Sequence, residues 1–298
     1  MHINGTNSLG ANTVCGIAEA VGVGVHFNTL VPLDPQTTIK YGVIESATLQ
    51  HDCATWAHLY IAGRLHKPVT ALTPHPPPGG PLAEALHANL HHALAAALVL
   101  LPPTFTEEEL LRMVVGLSYR GDVRLAVGAE DPHKVSRIVA GSWEQLAAMY
   151  LPLLAESGRY SALGVEPTGQ RTSHERGGAL WRQPKDPAAQ EGALRLLPTG
   201  LLHEMAARLG YHVPPEHLAA GEPTQAEVVA AAVRTGHAQR LAANSLAAIV
   251  RRSSMYQAAA GLLAAGGGKA VQYVGAKVAK ALRPLLAART SPPPKQGA

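Results

Sequence analysis

Residues 23–45 read VGVHFNTLVPLDPQTTIKYGVIE. Two runs within it, Val23–Val31 and Ile39–Glu45, are rich in β-branched and aromatic residues, and Pro32–Pro35 turns the chain between them. That pattern predicts two strands. The period then changes: over Leu49–Leu65, the residues Leu49, Cys53, Trp56, Leu59 and Tyr60 fall on one face of a helix. Strands giving way to helix make the N-terminal part α/β. A short helix over Asn12–Ala20 is expected ahead of them.

Outward from this segment the chain reads as mostly helical. Thr73–Pro81 (TPHPPPGGP) has the composition of a linker. Helical periods follow over Leu82–Leu101, Thr106–Leu117, Pro132–Ile138, Trp143–Leu154, Pro198–Leu209, Gln225–Val233 and His237–Ile249. Thr106 and Glu109 have capping-box spacing, with acids in the first turn. Gly121 marks a turn into a short apolar strand, Val123–Val127, and the polar, Gly-rich stretch Glu156–Gln190 reads as a loop. The most apolar run, Ala93–Leu101, ends in Pro102-Pro103 and is too short to span a bilayer, so it reads as a buried core helix.

Composition narrows the class. A chain of 298 residues, 47% hydrophobic but only 4% aromatic, fits an Ala/Leu-rich, helix-leaning globular protein of one large or two modest domains. Cys15 and Cys53 are too few for a disulfide framework or a cysteine-built metal site. The N-terminal stretch MHINGTNSLGANTV has neither a secretory nor an Arg-rich transit pattern. Charge is uneven: residues 228–298 hold ten Lys/Arg and no Asp or Glu, against 15 basic and 21 acidic residues before them. An acidic body with a basic tail suits a phosphate-rich partner, nucleic acid or an anionic bilayer.

Several stretches can carry chemistry. In the last helix, Val271, Val274, Val278, Leu282 and Leu285 share one sector, with Lys269, Lys277, Lys280 and Arg283 opposite. Such a helix can lie in a membrane interface or pack on the protein as an ordinary amphipathic helix. In LYIAGRLHKPV (Leu59–Val69), Gly63 is expected to break the helix before Arg64, and Pro68 fixes the chain after Lys67. The two cations either cap a helix end or are held rigidly for a triphosphate. LSYRGDVRL (Leu117–Leu125) gathers Tyr119, Arg120, Asp122 and Arg124 around one glycine turn; Asp122 can ligate a metal, orient an arginine, or form a surface ion pair. His87, His91 and His92 lack the glutamate of a zinc-protease helix and read as a solvated face. Gly22-Val23-Gly24-Val25 is no phosphate-binding P-loop, because no Gly-Lys-Ser/Thr follows.

These blocks together resemble one family, the mitochondrial translocator assembly and maintenance proteins, which are mitochondrial CDP-diacylglycerol synthases. The resemblance rests on GVGVHFNTL ending at Leu30, IKYGVIES (Ile39–Ser46), Asp52 and Trp56 ahead of LYIAGRLHKPV, and Asn89 ahead of FTEEEL. It continues through GLSYRGDVRL (Gly116–Leu125), EDPHKVSRIV (Glu130–Val139) and LAAIVRRSSMYQAAAGLLAAGGGKAVQY (Leu246–Tyr273). It implies a nucleotidyltransferase fold and transfer of a cytidylyl group from CTP to phosphatidic acid with Mg²⁺. The place of work would be the matrix face of the mitochondrial inner membrane, in cardiolipin synthesis. Arg64 and Lys67 would serve the triphosphate, with Tyr41, Tyr119, Asp122, Arg124 and Lys134 in or beside the cleft. The family's Gly-Ser loop and metal-holding aspartate pair find no counterpart, and His2-Ile3-Asn4 stands where a His-Tyr-Ser motif belongs. The expectation is a chain that lacks the N-terminal catalytic half and is inactive alone, with an open sheet edge and an exposed apolar face.

The fold expected is α/β over residues 1–72, as an incomplete nucleotidyltransferase domain. A helical middle follows over 80–157, winged-helix-like around Thr106–Val139, then a loop over 158–197. A helical basic region over 198–290 contains the membrane-binding helix 269–288, and 291–298 is a disordered tail. The competing functional readings are a non-catalytic peripheral protein on anionic phospholipid and, less favoured by its sparse aromatics, a nucleic-acid binder.

Overall fold

The computed structural model describes residues 23–259, except 73–75, 77–78, 127, 129, 156–157 and 172–177. The expected helix at Asn12–Ala20, Cys15, the amphipathic helix 269–288 and the tail 291–298 lie outside the described residues.

Strands β1 (Val25–Pro32) and β2 (Thr38–Ile44) form an antiparallel pair, with Val25 opposite Ile44 and a bulge between Asn28 and Val31. The Asp34 carboxylate closes the turn by accepting from the backbone N–H groups of Gln36 and Thr37 at 2.8 and 2.7 Å. Ile39, Tyr41 and Val43 alternate along β2 and are 38%, 46% and 59% exposed, so this pair turns an apolar row to solvent.

Helix α1 (Ser46–Thr55) follows, and α2 (Ala62–Leu65) is a separate single turn. The continuous helix expected over Leu49–Leu65 is interrupted: Trp56 and Leu59 adopt left-handed backbone, φ 58° and 52°. Gly63 does not break a helix; it sits inside α2.

Helix α3 (Pro81–Leu100) is the spine, packed against α1, α4 (Glu107–Gly116), α7 (Trp143–Ala155) and α8 (Pro187–Arg195). Its second half, Ala93–Leu100, is buried throughout, as its uniform hydrophobicity implies. The histidine face is not solvated as expected. His87 is exposed, but His91 is buried with its Nδ1 3.1 Å from Tyr160 Oη, and the Nδ1 of His92 is also buried. Burial pushes His92 down to about 4.

Short strand β3 (Thr104–Thr106) leads into α4, whose capping box is present: Thr106 Oγ1 accepts from Glu109 N and Glu109 Oε2 from Thr106 N. Val123–Ala126 forms a helical turn, α5, where a strand was expected; Asp122 Oδ1 accepts from Arg124 N at 2.9 Å and starts it. α6 (Lys134–Gly141) and α7 follow. The stretch expected as a loop holds β4 (Glu166–Arg171), β5 (Ala179–Arg182) and α8, which Asp186 caps. β5 lies between β3 and β4, antiparallel to both. Helices α9 (Thr199–Arg208), α10 (Pro223–Arg234) and α11 (238–259) complete the description. One hydrophobic core runs from Cys53 through α3 and α4 to Val250 on α11. No helix among the described residues is long and apolar enough to cross a membrane.

Candidate active site

The site begins with a buried carboxylate. Asp52, on the last turn of α1, is 3% exposed. Its Oδ1 accepts from the backbone N–H groups of His58 (2.9 Å) and Leu59 (2.8 Å), and its Oδ2 from Ile61 (3.1 Å) and Ala62 (3.0 Å). Four charge-assisted bonds wrap the loop around one side chain and offset the left-handed backbone at Trp56 and Leu59. Trp56 Nε1 donates to Asn89 Oδ1 at 2.8 Å, and Asn89 Nδ2 donates to Ala62 O at 2.9 Å. α2 is thereby fixed to the spine.

Arg64 and Lys67 project from α2 and the turn after it. Arg64 is exposed, donates to Tyr60 Oη at 3.3 Å, and lies 5.6 Å from the Phe27 ring centre. Lys40 on β2 lies 4.0 Å from the same ring. Lys67 is buried and donates to Gly63 O and, at 2.6 Å, to Ser118 Oγ; it lies 3.3 Å from His66 Nε2. A Cβ on Gly63 would lie 2.5 Å from Ser118 Cβ. Glycine is needed there so that α2 can approach the Leu117–Tyr119 turn. Burial, then Arg64 and Lys134, push Lys67 down to about 7. Burial first, and then the adjacent Lys67, push fully buried His66 well below its ordinary value and hold it neutral.

A second wall comes from the turn after α4. Gly121 has φ 84°, and a Cβ there would lie 2.6 Å from Ala247 O of α11. The turn brings Asp122 against Arg124: Nε to Oδ1 2.9 Å, Nη2 to Oδ2 2.5 Å. Both carboxylate oxygens are thus taken by the guanidinium, which Asp122 holds firmly protonated. Lys134 pairs with Glu130 at 3.0 Å and lies 5.4 Å from the Tyr119 ring centre. Burial pushes the Tyr119 phenol up. Burial opposes ionisation of Glu130, but its bond to Lys134 wins and holds it below the usual range.

Helix α11 is the third wall. Ser254 Oγ accepts from Val123 N at 3.2 Å, while the Ser253 hydroxyl sits between His58 O and Ile249 O. The three walls enclose a cleft of about 330 Å³. Arg64, Lys67, Tyr119, Asp122, Arg124 and Lys134, all expected from the sequence, line it. Tyr41 does not: strand alternation turns Lys40 inward and Tyr41 outward. Lys40, Tyr60, Ser118, Glu130, Ser253 and Ser254 join the lining without having been picked out. Lys269, Lys277, Lys280, Arg283, Val274, Val278 and Leu282, the expected membrane contacts, lie outside the described residues.

Cations outnumber carboxylates in this cleft, and each carboxylate is already paired. Residues 1–280 match the family described as "Phosphatidate cytidylyltransferase, mitochondrial". The chain belongs to that family. A mitochondrial phosphatidate cytidylyltransferase of Drosophila melanogaster is 42% identical over 201 residues, covering 67% of this chain and 58% of the fly protein. The Xenopus laevis protein of the same name is 36% identical over 284 residues, covering 95% of this chain and 77% of its own length. The chain therefore spans a little over half of the fly relative and about three quarters of the frog one. This is a family of nucleotidyltransferases in mitochondrial phospholipid metabolism.

Among the described residues of this cleft, the donor set does not fit the magnesium ion implied by the resemblance. Asp122 gives both oxygens to Arg124, Glu130 is paired with Lys134, and among the described residues no cluster of three or more metal-ligating side chains forms. Of the three roles open to Asp122, the geometry supports orienting the arginine: the carboxylate is buried, not a surface pair, and Arg124 takes both of its oxygens.

Proposed function

We propose that this cleft binds the triphosphate of CTP, and that the reaction it serves is cytidylyl transfer to phosphatidic acid, giving CDP-diacylglycerol and pyrophosphate. The observation that carries the reading is the pair Arg64 and Lys67. Both face the cleft, and neither has a carboxylate partner among the described residues. A polyanion entering there meets cations held in place by backbone and hydroxyl groups, with no internal counter-charge to displace. Ser118 and Gly63 position Lys67; Asp122 positions Arg124; Glu130 positions Lys134.

The same donor set supports a limit. With both carboxylates among the cleft's described residues taken, the isolated chain is expected to bind CTP without turning it over, as a non-catalytic binder would. Calorimetric titration with CTP, with Arg64→Ala and Lys67→Met each weakening binding by at least about tenfold, tests the grip; unchanged affinity in both variants would sink it. Turnover by the wild-type chain with CTP, phosphatidate and magnesium would overturn the limit.

The finer fold follows the same reading. The outward apolar row of β2 supports a hairpin that belongs to a larger nucleotidyltransferase sheet. The order α3–β3–α4, then α6–α7, then β4–β5, with β5 between β3 and β4, supports a winged-helix-like middle that extends past Val139 to Arg182. The domain limits given above are retained as part of this proposal, except that the intervening stretch 158–197 carries the wing. The proposed place of action is the matrix side of the inner membrane, reached through the basic C-terminal segment and an anionic membrane surface rather than nucleic acid.

A further inference from the structure

The cleft is not the only cavity with uncompensated positive charge. A second one, of about 250 Å³, lies at the C-terminal end of α3 and shares no residue with the first. Pro102 and Pro103 lack the N–H groups that would complete the last turn, leaving the carbonyls of Leu98 and Val99 without their usual helical donors. Gln183 Nε2 donates to Leu98 O at 3.0 Å and Pro102 O at 2.9 Å, and Gln239 Nε2 to Leu100 O at 2.5 Å. Neutral amides therefore already serve this helix end.

Lys185 adds a charge there. Its ammonium donates to Leu98 O at 2.9 Å, and it forms no ion pair among the described residues. Arg240 and His237 line the same cavity, and among the described residues no Asp or Glu does. The neighbouring Asp186 is turned away, capping α8 through Ala188 N and Ala189 N. The remaining wall is largely apolar, with Leu98, Leu163, Val165 and Leu194. Burial pushes Lys185 down to about 8, the cost of holding a cation in such a wall without a counter-charge.

We propose that this cavity is a second ligand site, taking a small amphiphile whose anionic head meets Lys185 and Arg240 and whose hydrocarbon body lies on the Leu98–Leu194 wall. Charge complementarity carries the assignment: a neutral apolar ligand leaves the ammonium unpaired, and a hydrophilic anion leaves the wall unused. A carboxylate or a phosphate monoester head satisfies the same chemistry. The site is independent of the cytidylyl-transfer reading.

The test is calorimetric titration of the full chain with decanoate and with decyl phosphate, both below micelle formation, and with decanol as the neutral control. At least one anion is expected to bind saturably, one per chain. Lys185→Met should weaken it at least about tenfold, Lys185→Arg should restore most of it, and Arg240→Met should weaken it less. Saturating CTP should not compete. Comparison of the two anions identifies the preferred head. The proposal is overturned if no anion binds saturably, if decanol binds as tightly, if CTP displaces the ligand, or if Lys185→Met binds like wild type. Should Lys185→Met melt early, Arg240→Met, the decanol arm and the CTP competition still decide the matter.

Discussion

Lys67 is a buried ammonium that donates to a carbonyl and a hydroxyl but has no counter-charge among the described residues; its burial and the nearby Arg64 and Lys134 oppose its charge until an anion arrives. Its pKa falls from 10.5 to about 7 on folding. Between those values the unfolded chain holds the extra proton, so stability is expected to rise as pH climbs from about 7 to about 10.5. Below about 7 the burial penalty is fully present. Lys67→Met should lose this pH-dependent gain and, near pH 6, be at least as stable as wild type while losing CTP affinity. Urea unfolding across that range checks it; parallel curves for wild type and variant would contradict it. Binding of CTP at pH 8 should take up a proton, seen as a dependence of the binding heat on the buffer, and Lys67→Met should abolish that uptake.

At the scale of elements, the loop between α1 and α2 decides where Arg64 and Lys67 point, and Asp52 decides the loop. Asp52→Ala removes an acceptor from four backbone donors, two of them on buried residues, and should cost about 3 kcal/mol of stability. Asp52→Asn, which keeps one carbonyl oxygen but turns an amide toward two N–H groups, should cost less in stability yet still weaken CTP binding. Gly63→Ala should leave the core intact and weaken CTP binding, because its methyl group drives α2 off Ser118. Thr106→Ala, far from this loop in role, should cost about 1 kcal/mol with CTP affinity unchanged. The contrast among these variants separates positioning from general stability.

The same elements show what was legible. The strands β1 and β2, the spine α3 and the capped start of α4 follow from local pattern, and the structure has all of them. The break at Trp56 does not, because a period of apolar residues continues through it; only four hydrogen bonds to one side chain create it. β4 contains Pro167 and Gly169 and lacks an apolar run, so its strand form comes from pairing with β5 rather than from its own residues. Val123–Ala126 is too short for hydrophobic period to separate strand from helix. In the cleft, Arg64, Lys67, Asp122 and Arg124 stood out as charges packed around glycine and proline. Ser118, Ser253 and Ser254 carry no such mark, and Lys40 is told from Tyr41 only by strand parity.

Over the whole molecule, α11 joins the cleft to the basic end of the chain. Ser253 and Ser254 tie it to the α1–α2 loop and to α5, while Arg251, Arg252, Met255 and Tyr256 are exposed at the same end. Past residue 259 come Lys269, Lys277, Lys280 and Arg283, with no acid to offset them. A chain arranged this way should sit on an anionic bilayer with its cleft near the lipid headgroups. The intact chain is expected to float with phosphatidylcholine vesicles containing cardiolipin or phosphatidate, and not with phosphatidylcholine alone. Each basic residue near such a surface contributes about 1 kcal/mol. Replacing Lys269, Lys277, Lys280 and Arg283 together by Gln should therefore lower vesicle binding at least about tenfold, and about 0.5 M salt should do the same to the wild type. CTP affinity in the quadruple variant should not change, because the cations that line the cleft among the described residues, Lys40, Arg64, Lys67, Arg124 and Lys134, all remain. Vesicle binding that survives the four substitutions would remove the basic segment from the membrane contact, and capture of RNA in preference to the vesicles would turn it to nucleic acid instead.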